Sequence, residues 1–266
     1  MTVWRDGQVA DEHPSAPMWV GWGVFTTAGC DHGRVLLWKH HAARLARSLA
    51  TLGADPDLAL PDRRTLETML ERDGLDGPAR LRVVVRRRAP DAPWSVEASA
   101  VRVPCGQVGP DAPPQRLRIV RWEAAPPLTG HKTLARLAWD HARETVRAQG
   151  ADDALLVDAA GRLLETSVAN VFVRFGERLL TPLSPGRCLP GVMRGWLLSH
   201  AVDLGFEVVE ADVTLGELEE ADEVWLTNAV LGVRRVGSVD DRTWRRWDGF
   251  ARLRTIGLPA PGWPAS

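Results

Sequence analysis

Lys132 is one of only two lysines in this 266-residue chain, which contains 31 arginines. An arginine side chain stays protonated at any working pH, whereas a lysine amine whose pKa is lowered by burial or by a cationic neighbour can attack a carbonyl carbon. Lys132 lies in segment 128–134 (LTGHKTL), at the predicted entry to a helix. It is therefore a candidate for covalent chemistry with an aldehyde, against the simpler alternative of a surface charge at a helix N-terminus. The other lysine, Lys39, belongs to a stretch typical of a solvated helix end.

Four other places in the sequence carry groups that would complement such an aldehyde. Glu165 ends a predicted strand, where a carboxylate can keep a ring nitrogen protonated. Arg44, inside a predicted helix, can pair with two phosphate oxygens. The Pro-Gly turn at 190–191 opens a helix whose amides and dipole can hold a phosphate, and segment 227–229 (TNA) offers a hydroxyl, an amide and N–H groups. Each feature alone has an ordinary structural explanation, but together they are what pyridoxal 5'-phosphate (PLP) requires, since it carries an aldehyde, a pyridine ring and a phosphate.

Composition and charge indicate which partners to exclude. Hydrophobic residues make up 45% of the chain and charged residues 25%, which is typical of a globular protein in water. The net charge of −1 creates no field that would attract nucleic acid or an acidic membrane. Arginines cluster in places, but acidic residues are scattered among them and no aromatic residues alternate with them for base stacking. We expect a small-molecule amino substrate, and neither a nucleic acid nor a membrane as partner.

The cysteines and the N-terminus bear on the compartment. Cys30, Cys105 and Cys188 are odd in number and share no metal-ligand spacing, so we expect free thiols, a reducing compartment and no metal site. The N-terminus lacks a charged-then-apolar signal, and no apolar run reaches the roughly 18 residues of a membrane span. The sequence therefore predicts a cytoplasmic protein.

The elements that would position these groups form an α+β pattern. In the first hundred residues, strands are predicted at 19–28, 34–38, 81–86 and 94–103, and helices at 42–49 and 64–72. The Pro- and Gly-rich tract 104–114 is the predicted boundary between a small α+β domain (1–108) and a larger cofactor-binding domain (109–266).

The second half has more strands. Helices are predicted at 133–149 and 191–204, a capping box at 214–217, and helical spacing over 241–255. The predicted strands are 117–122, 154–157, 162–166, 170–175, 178–181, 207–210, 223–227 and 230–238.

The order of these segments resembles the class IV (fold type IV) PLP enzymes, which include branched-chain and D-amino-acid aminotransferases and 4-amino-4-deoxychorismate lyase. The resemblance extends from about residue 19 to residue 239. The motifs that carry it are Glu165-x4-Asn170-x-Phe172, Thr181-Pro182, Gly191-Val192-Met193-Arg194, Ala221-Asp222-Glu223-Val224 and Thr227-Asn228-Ala229. It implies a D-amino-acid-aminotransferase-like fold with a small α+β domain, a larger domain with a barrel-like sheet, and the cofactor between them. It also implies a homodimer whose partner subunit lines the site.

The resemblance assigns a role to each matching residue. Lys132 corresponds to the lysine that forms the Schiff base with PLP, and Glu165 to the partner of the pyridine nitrogen. The remaining correspondences concern the phosphate: Arg44 within His41-Ala42-Ala43-Arg44-Leu45, the backbone donors Val192 and Met193, and the second phosphate loop at Asn228 and Ala229.

Within the family, several details favour the lyase, which converts 4-amino-4-deoxychorismate to p-aminobenzoate and pyruvate. Phe25-Thr26-Thr27 is similar to the lyase motif, in which the second threonine, here Thr27, assists proton transfer. Met193 and the Asn228-Ala229 pair also resemble lyases, and the chain contains no tyrosine. Lys132 would act as the general base. An aminotransferase acting on branched-chain or D-amino acids with 2-oxoglutarate is the first alternative, and a non-catalytic protein with the family fold is the second.

The sequence departs from the lyase pattern in the first domain. The Asp-Arg-Gly element before the first strand and the glycine-rich loop after segment 81–86 are missing. Because this domain would face the substrate, a specialised relative in secondary metabolism stays open beside folate-precursor supply. Candidate binders of substrate carboxylates are the arginines Arg86, Arg87, Arg234 and Arg235, each with a solvated surface position as the alternative.

Overall fold

A computed structural model describes residues 2–5, 8–11, 22–55, 57–87, 92–104, 106–123 and 128–263, the first two ranges by their backbone alone. These two ranges form an antiparallel hairpin of β1 (Thr2–Arg5) and β2 (Gln8–Asp11). Positions 19–21 of the predicted first strand and Cys105 lie outside the described residues. Cys30 and Cys188 are buried free thiols. Within the described ranges, every helix is too short or too polar to cross a lipid bilayer.

The first half of the chain forms an antiparallel sheet of four strands in the order β4-β3-β5-β6. Its elements are β3 (Gly23–Asp31), β4 (Arg34–Val35), α1 (Trp38–Thr51), α2 (Arg63–Arg72), β5 (Ala79–Arg87) and β6 (Trp94–Arg102). Residues on β5 alternate: Leu81, Val83 and Val85 are fully buried in one apolar core with Leu45 of α1. The intervening residues, which include Arg82, lie on the opposite face of the strand.

The second half forms a nine-stranded sheet in the order β12-β11-β10-β13-β14-β7-β8-β9, with β15 beside β14. The strands are β7 (Gln115–Arg121), β8 (Asp153–Val157), β9 (Leu163–Thr166), β10 (Asn170–Phe175), β11 (Arg178–Pro182), β12 (Glu207–Ala211), β13 (Glu223–Asn228), β14 (Gly232–Val239) and β15 (Arg242–Thr243). The two ends of the sheet approach each other, because Leu163 N donates to Val213 O at 2.7 Å and Arg162 bridges Thr214. The sheet is therefore barrel-like, as expected.

Four helices pack on this sheet: α3 (Leu137–Arg147), α4 (Val192–His200), α5 (Leu215–Glu220) and α6 (Asp248–Arg252), with 3-10 turns at Ala201–Leu204 and Leu253–Thr255. Thr214 and Glu217 form the predicted capping box. Two helix predictions were wrong in extent. Helix α3 begins at Leu137 because Thr133 pairs with Val24 instead. Segment 241–255 starts with β15, because its first residues extend the β14 edge, and only its second part is helical.

The chain passes from one sheet to the other between the end of β6 and the start of β7, across the tract 104–114. The division into domains 1–108 and 109–266 stays a prediction.

Candidate active site

Lys132 is held between the two sheets by backbone pairing with β3. Phe25 N donates to Lys132 O, and Leu134 N donates to Gly23 O, both at 2.9 Å. This approach depends on the missing side chain of Gly23, because a Cβ there would lie 2.8 Å from the Leu134 Cδ1 atom. Lys132 therefore sits on rigid backbone, not on a free loop.

Lys132 lines a cavity of about 580 Å³. One wall comes from β3, β5 and α1 of the small sheet, and the other from β9, β10, the start of α4 and the end of β13. The structure thus brings together the lysine and the segments that the sequence placed around it.

The environment of Lys132 favours its neutral form. Its Nζ atom lies 4.9 Å from the centre of the Phe25 ring, a contact that by itself favours the ammonium form, but burial outweighs it. Desolvation lowers the pKa of Lys132 from 10.5 to about 7, helped by the charges of Arg136 and Arg44 and opposed by Glu165. A considerable fraction of the amine is therefore neutral near pH 7, as a nucleophile or general base must be.

Glu165 is a buried carboxylate at the cavity wall with three hydrogen-bond donors. Leu189 N donates to its Oε2 atom at 3.1 Å, Trp139 Nε1 to Oε1 at 3.2 Å, and Asn170 Nδ2 to Oε2 at 3.5 Å. Burial raises the pKa of Glu165, and the hydrogen bonds from Leu189 and Trp139 oppose the rise, as do the charges of Lys132 and Arg136. The carboxylate is thereby fixed in orientation and suited to hold a proton on a ring nitrogen.

The loop before α4 links Glu165 to Arg44. Asn170 Nδ2 donates to Leu189 O at 2.8 Å, and Arg44 Nη1 donates to Pro190 O at 3.4 Å. Arg44 is buried, and burial lowers its pKa to about 10, so that it stays charged near pH 7. The carboxylate and the guanidinium are thus anchored on successive residues of one loop.

The start of α4 contributes backbone amides. Gly191 is the N-cap, no side chain caps this end, and both Gly191 and Val192 line the cavity. The first N–H groups of a helix have no partner within it and can bind an anion. The Met193 side chain is fully buried in the core. Only the backbone of Met193 is therefore available for the predicted role.

The side-chain oxygen of Asn228, in the loop after β13, binds the backbone of its own loop. This Oδ1 atom accepts from Val230 N at 3.0 Å and Leu231 N at 2.7 Å, which shapes the loop itself. Ala229 lines the cavity. The Thr227 hydroxyl, also at the cavity, is buried and has no hydrogen-bond partner among the described residues. Such a group is costly to bury unpaired, so it points to an acceptor supplied by a ligand.

These groups fit PLP. The unpaired Thr227 hydroxyl, the charged Arg44 and the amides at the start of α4 are suited to a phosphate. Glu165 is suited to a pyridine nitrogen, and the partly neutral Lys132 to an aldehyde. The site therefore has a donor or acceptor for each polar part of the cofactor.

Sequence reasoning missed three side chains beside Lys132. The guanidinium carbon of Arg82 lies 4.1 Å, and that of Arg136 5.9 Å, from the centre of the Phe25 ring. Trp139 binds the Glu165 carboxylate. Arg82 lies opposite the cavity-lining Thr27 in the β3–β5 register, so strand alternation could have indicated it once that pairing was known.

None of the four arginines that the sequence suggested for substrate binding lines the cavity with Lys132, and two of them, Arg86 and Arg234, have partners elsewhere. Arg86 forms an ion pair of 2.6 Å with Glu97 on the exposed face of the small sheet. Arg234 donates to Gln107 O and Pro113 O at 3.0 and 3.3 Å and ties the tract 104–114 to β14.

A family model described as amino-transferase class IV matches residues 23–239. The chain belongs to this family. An aminodeoxychorismate lyase of Vibrio harveyi is 29% identical over 233 residues, 82% of this chain and 83% of the relative. Branched-chain-amino-acid aminotransferase 1 of Arabidopsis thaliana is 38% identical over 95 residues, but this covers 35% of the chain and 25% of that protein.

Solved structures of class IV enzymes superpose on the chain. A Legionella pneumophila protein with a provisional assignment as 4-amino-4-deoxychorismate lyase has a TM-score of 0.80 and 26% identity, over 92% of this chain and 93% of that one. A fold IV transaminase from Curtobacterium pusillum gives 0.75 and 22%, over 93% and 89%. A hypothetical aminotransferase from Mycobacterium tuberculosis, in a PLP-bound form, gives 0.79 and 22%, over 93% and 95%. The predicted fold type IV architecture is confirmed, and the class IV chain is a PLP-dependent enzyme.

Proposed function

We propose that this class IV enzyme is a lyase that converts 4-amino-4-deoxychorismate to p-aminobenzoate and pyruvate. The similarity to the Vibrio harveyi lyase, which extends over most of both chains, supports this proposal. The branched-chain aminotransferase match, although higher in identity, covers about a third of the chain.

The charge of the cavity is the observation that carries the proposal. Two carboxylates line it, Asp140 and Glu165. Against them stand six arginines, besides the partly neutral Lys132: Arg44, Arg80, Arg82, Arg102, Arg136 and Arg143. One phosphate leaves part of this positive charge unbalanced, and the substrate of the lyase carries two carboxylates. The aliphatic side chain of a branched-chain amino acid would instead lie against charged guanidinium groups, which is unfavourable.

The residues of the site divide the chemistry as follows. Bound PLP supplies an electron sink for the carbanion. The neutral amine of Lys132 removes the proton from the ring carbon that bears nitrogen. The carbon–oxygen bond at the neighbouring ring carbon then breaks, the enolpyruvyl group departs, and the ring becomes aromatic. Glu165 holds a proton at the pyridine nitrogen. The proton that Lys132 removed passes, directly or through the Thr27 hydroxyl at the cavity wall, to the terminal carbon of the departing enolate, which gives pyruvate and returns Lys132 to its neutral form.

The other roles follow the same proposal. Arg44, the amides of Val192 and Met193, and the Asn228–Ala229 loop hold the phosphate. We also propose a homodimer, because large apolar side chains are exposed around the cavity, with Leu137 82% and Val101 48% exposed. Light scattering should give the molar mass of a homodimer.

The decisive experiment supplies the purified enzyme with 4-amino-4-deoxychorismate and measures pyruvate and p-aminobenzoate. We expect equimolar release of both, and none from Lys132→Arg, because a guanidinium cannot act as the base. Borohydride treatment should modify Lys132 and leave Lys39 unmodified.

The same preparation is then given branched-chain or D-amino acids with 2-oxoglutarate. Glutamate formation without pyruvate release would overturn the proposal in favour of an aminotransferase. The local 38% identity to the Arabidopsis thaliana enzyme is the observation that favours this alternative.

A further inference from the structure

Thr26 and Thr27 are adjacent on β3 but point to opposite sides of the strand. Thr27 lines the cavity, whereas Thr26 is fully buried. The Thr26 Oγ1 atom accepts a hydrogen bond from Arg44 Nη2 at 2.9 Å and lies 2.7 Å from His41 Nδ1. Both partners are buried on α1. The proposed function uses Thr27 and Arg44 but leaves this buried pair, Thr26 and His41, without a role.

The hydrogen positions in this group follow from the donors available. A guanidinium has only donors, so Thr26 must accept from Arg44. Burial, with Arg44 and Lys132 close by, holds the pKa of His41 well below its ordinary value, so its ring is neutral. The Thr26 hydroxyl hydrogen has no other acceptor among the described residues, and we assign it to His41 Nδ1. Thr26 thus presents a lone pair to Arg44 in a fixed direction.

The arrangement is costly to maintain. It leaves the Nε2 atom of His41 buried without a partner among the described residues. A position whose only task is to fill the core could be occupied by an apolar side chain at no such cost. The free-energy cost of the unpaired Nε2 atom has a physical reason if Thr26 and His41 hold another group in position.

That group is Arg44. Thr26 holds its Nη2 atom, and Pro190 O accepts from its Nη1 atom at 3.4 Å. The guanidinium is thereby held from the β3 side and from the loop before α4, at the wall of the cavity. Its remaining N–H groups are left for an anion, and a planar guanidinium binds phosphate best when its plane is set in advance.

We propose that Thr26 and His41 are positioning residues that fix the plane of Arg44 for the phosphate of PLP. The inference rests on the phosphate role of Arg44 in the proposed function, and it holds for either a lyase or an aminotransferase. If this is so, removing the Thr26 hydroxyl weakens binding of the phosphate group and leaves binding of the ring and the aldehyde unchanged.

The test compares PLP with pyridoxal, which has the same ring and aldehyde but no phosphate. Full-length protein freed of cofactor and checked by circular dichroism is titrated with each compound, and tryptophan fluorescence reports binding. We expect Thr26→Val to weaken PLP binding about tenfold or more, because a hydrogen bond to a charged group is lost, and to change pyridoxal binding little. Thr26→Ser should retain wild-type preference for PLP.

The matched control is Thr181→Val, which removes another fully buried, hydrogen-bonded threonine hydroxyl far from Arg44 in the sequence. It should not alter the ratio of the two affinities. If Thr26→Val does not fold, His41→Phe, which removes the acceptor of the Thr26 hydroxyl, should lower the same ratio severalfold. Equal weakening of both compounds, or no weakening, would overturn the inference. Because no substrate is involved, that outcome leaves the lyase proposal intact.

Discussion

Gly191 lies so close to Asn170 that adding one methyl group should disturb the whole loop before α4. A Cβ on Gly191 would lie 2.0 Å from Asn170 Oδ1 and 3.2 Å from its Cγ atom. The backbone of Gly191, with φ −64° and ψ 140°, is acceptable for alanine. The collision with the amide is therefore the main obstacle to Gly191→Ala.

The size of the effect follows from the bonds that the amide makes. To avoid the methyl group, Asn170 must give up its 2.8 Å bond to Leu189 O and its 3.5 Å contact with Glu165. A buried polar group left unpaired costs about 1–3 kcal/mol, and the longer contact adds little. We expect Gly191→Ala to lower the free energy of unfolding by about 2–3 kcal/mol and to weaken PLP binding, because Leu189 also holds Glu165.

A double-mutant cycle isolates this cause. In an Asn170→Ala background the collision is absent. Gly191→Ala should then be neutral or stabilise the protein by about 0.4–1 kcal/mol, because alanine gives the unfolded chain less conformational entropy than glycine does. Urea unfolding of the four cofactor-free proteins, followed by tryptophan fluorescence, gives the energies. If Gly191→Ala lowers the unfolding free energy equally with and without the Asn170 amide, the collision with that amide is not the cause.

Two further predictions concern ionisation. In cofactor-free protein, acylation of Lys132, followed by mass spectrometry, should increase with pH through a midpoint of about 7, since only the neutral amine reacts and desolvation lowers its pKa. A midpoint near 10.5 would show that burial does not lower this pKa. Trp139→Phe removes a donor to the Glu165 carboxylate, whose pKa burial already raises. Losing this donor raises the pKa of Glu165 in the folded protein further, because the charged carboxylate is less well stabilised. As pH rises and Glu165 ionises, Trp139→Phe should therefore lower the free energy of unfolding by an increasing amount, up to about 1.5 kcal/mol. The matched variant is Trp122→Phe, which alters the ring that packs edge-to-face against Trp139. Its effect on the free energy of unfolding should not vary with pH. Equal pH dependence in both variants would count against the hydrogen bond from Trp139 to Glu165.

Residues within a single element were largely predictable. The strands and helices that carry Arg44, Glu165 and Thr227 depend on local periodicity and turn residues, and they formed close to their predicted bounds. Lys132 and Glu165 could be recognised because their chemistry leaves few substitutes: an amine that can lose its proton and a carboxylate that can hold one.

Contacts between elements could not be predicted. Helix α3 starts late because segment 132–134 pairs with β3, an interaction that no local pattern contains. Strand alternation says that Thr26 and Thr27 face opposite sides, but only the packing of α1 decides which of them meets Arg44. Arg82 reaches the cavity while Arg86, on the same strand, pairs with Glu97.

The sequence by itself therefore determined which groups can react, because proton affinity and nucleophilicity belong to residue types. Tertiary structure alone decided how they are tuned. The pKa of Lys132 is lowered to about 7 by burial, Arg136 and Arg44, and Glu165 is oriented by Trp139, Leu189 and Asn170. Desolvation and charge–charge energies depend on distances through space, and those distances exist only once the two sheets have closed around the cavity.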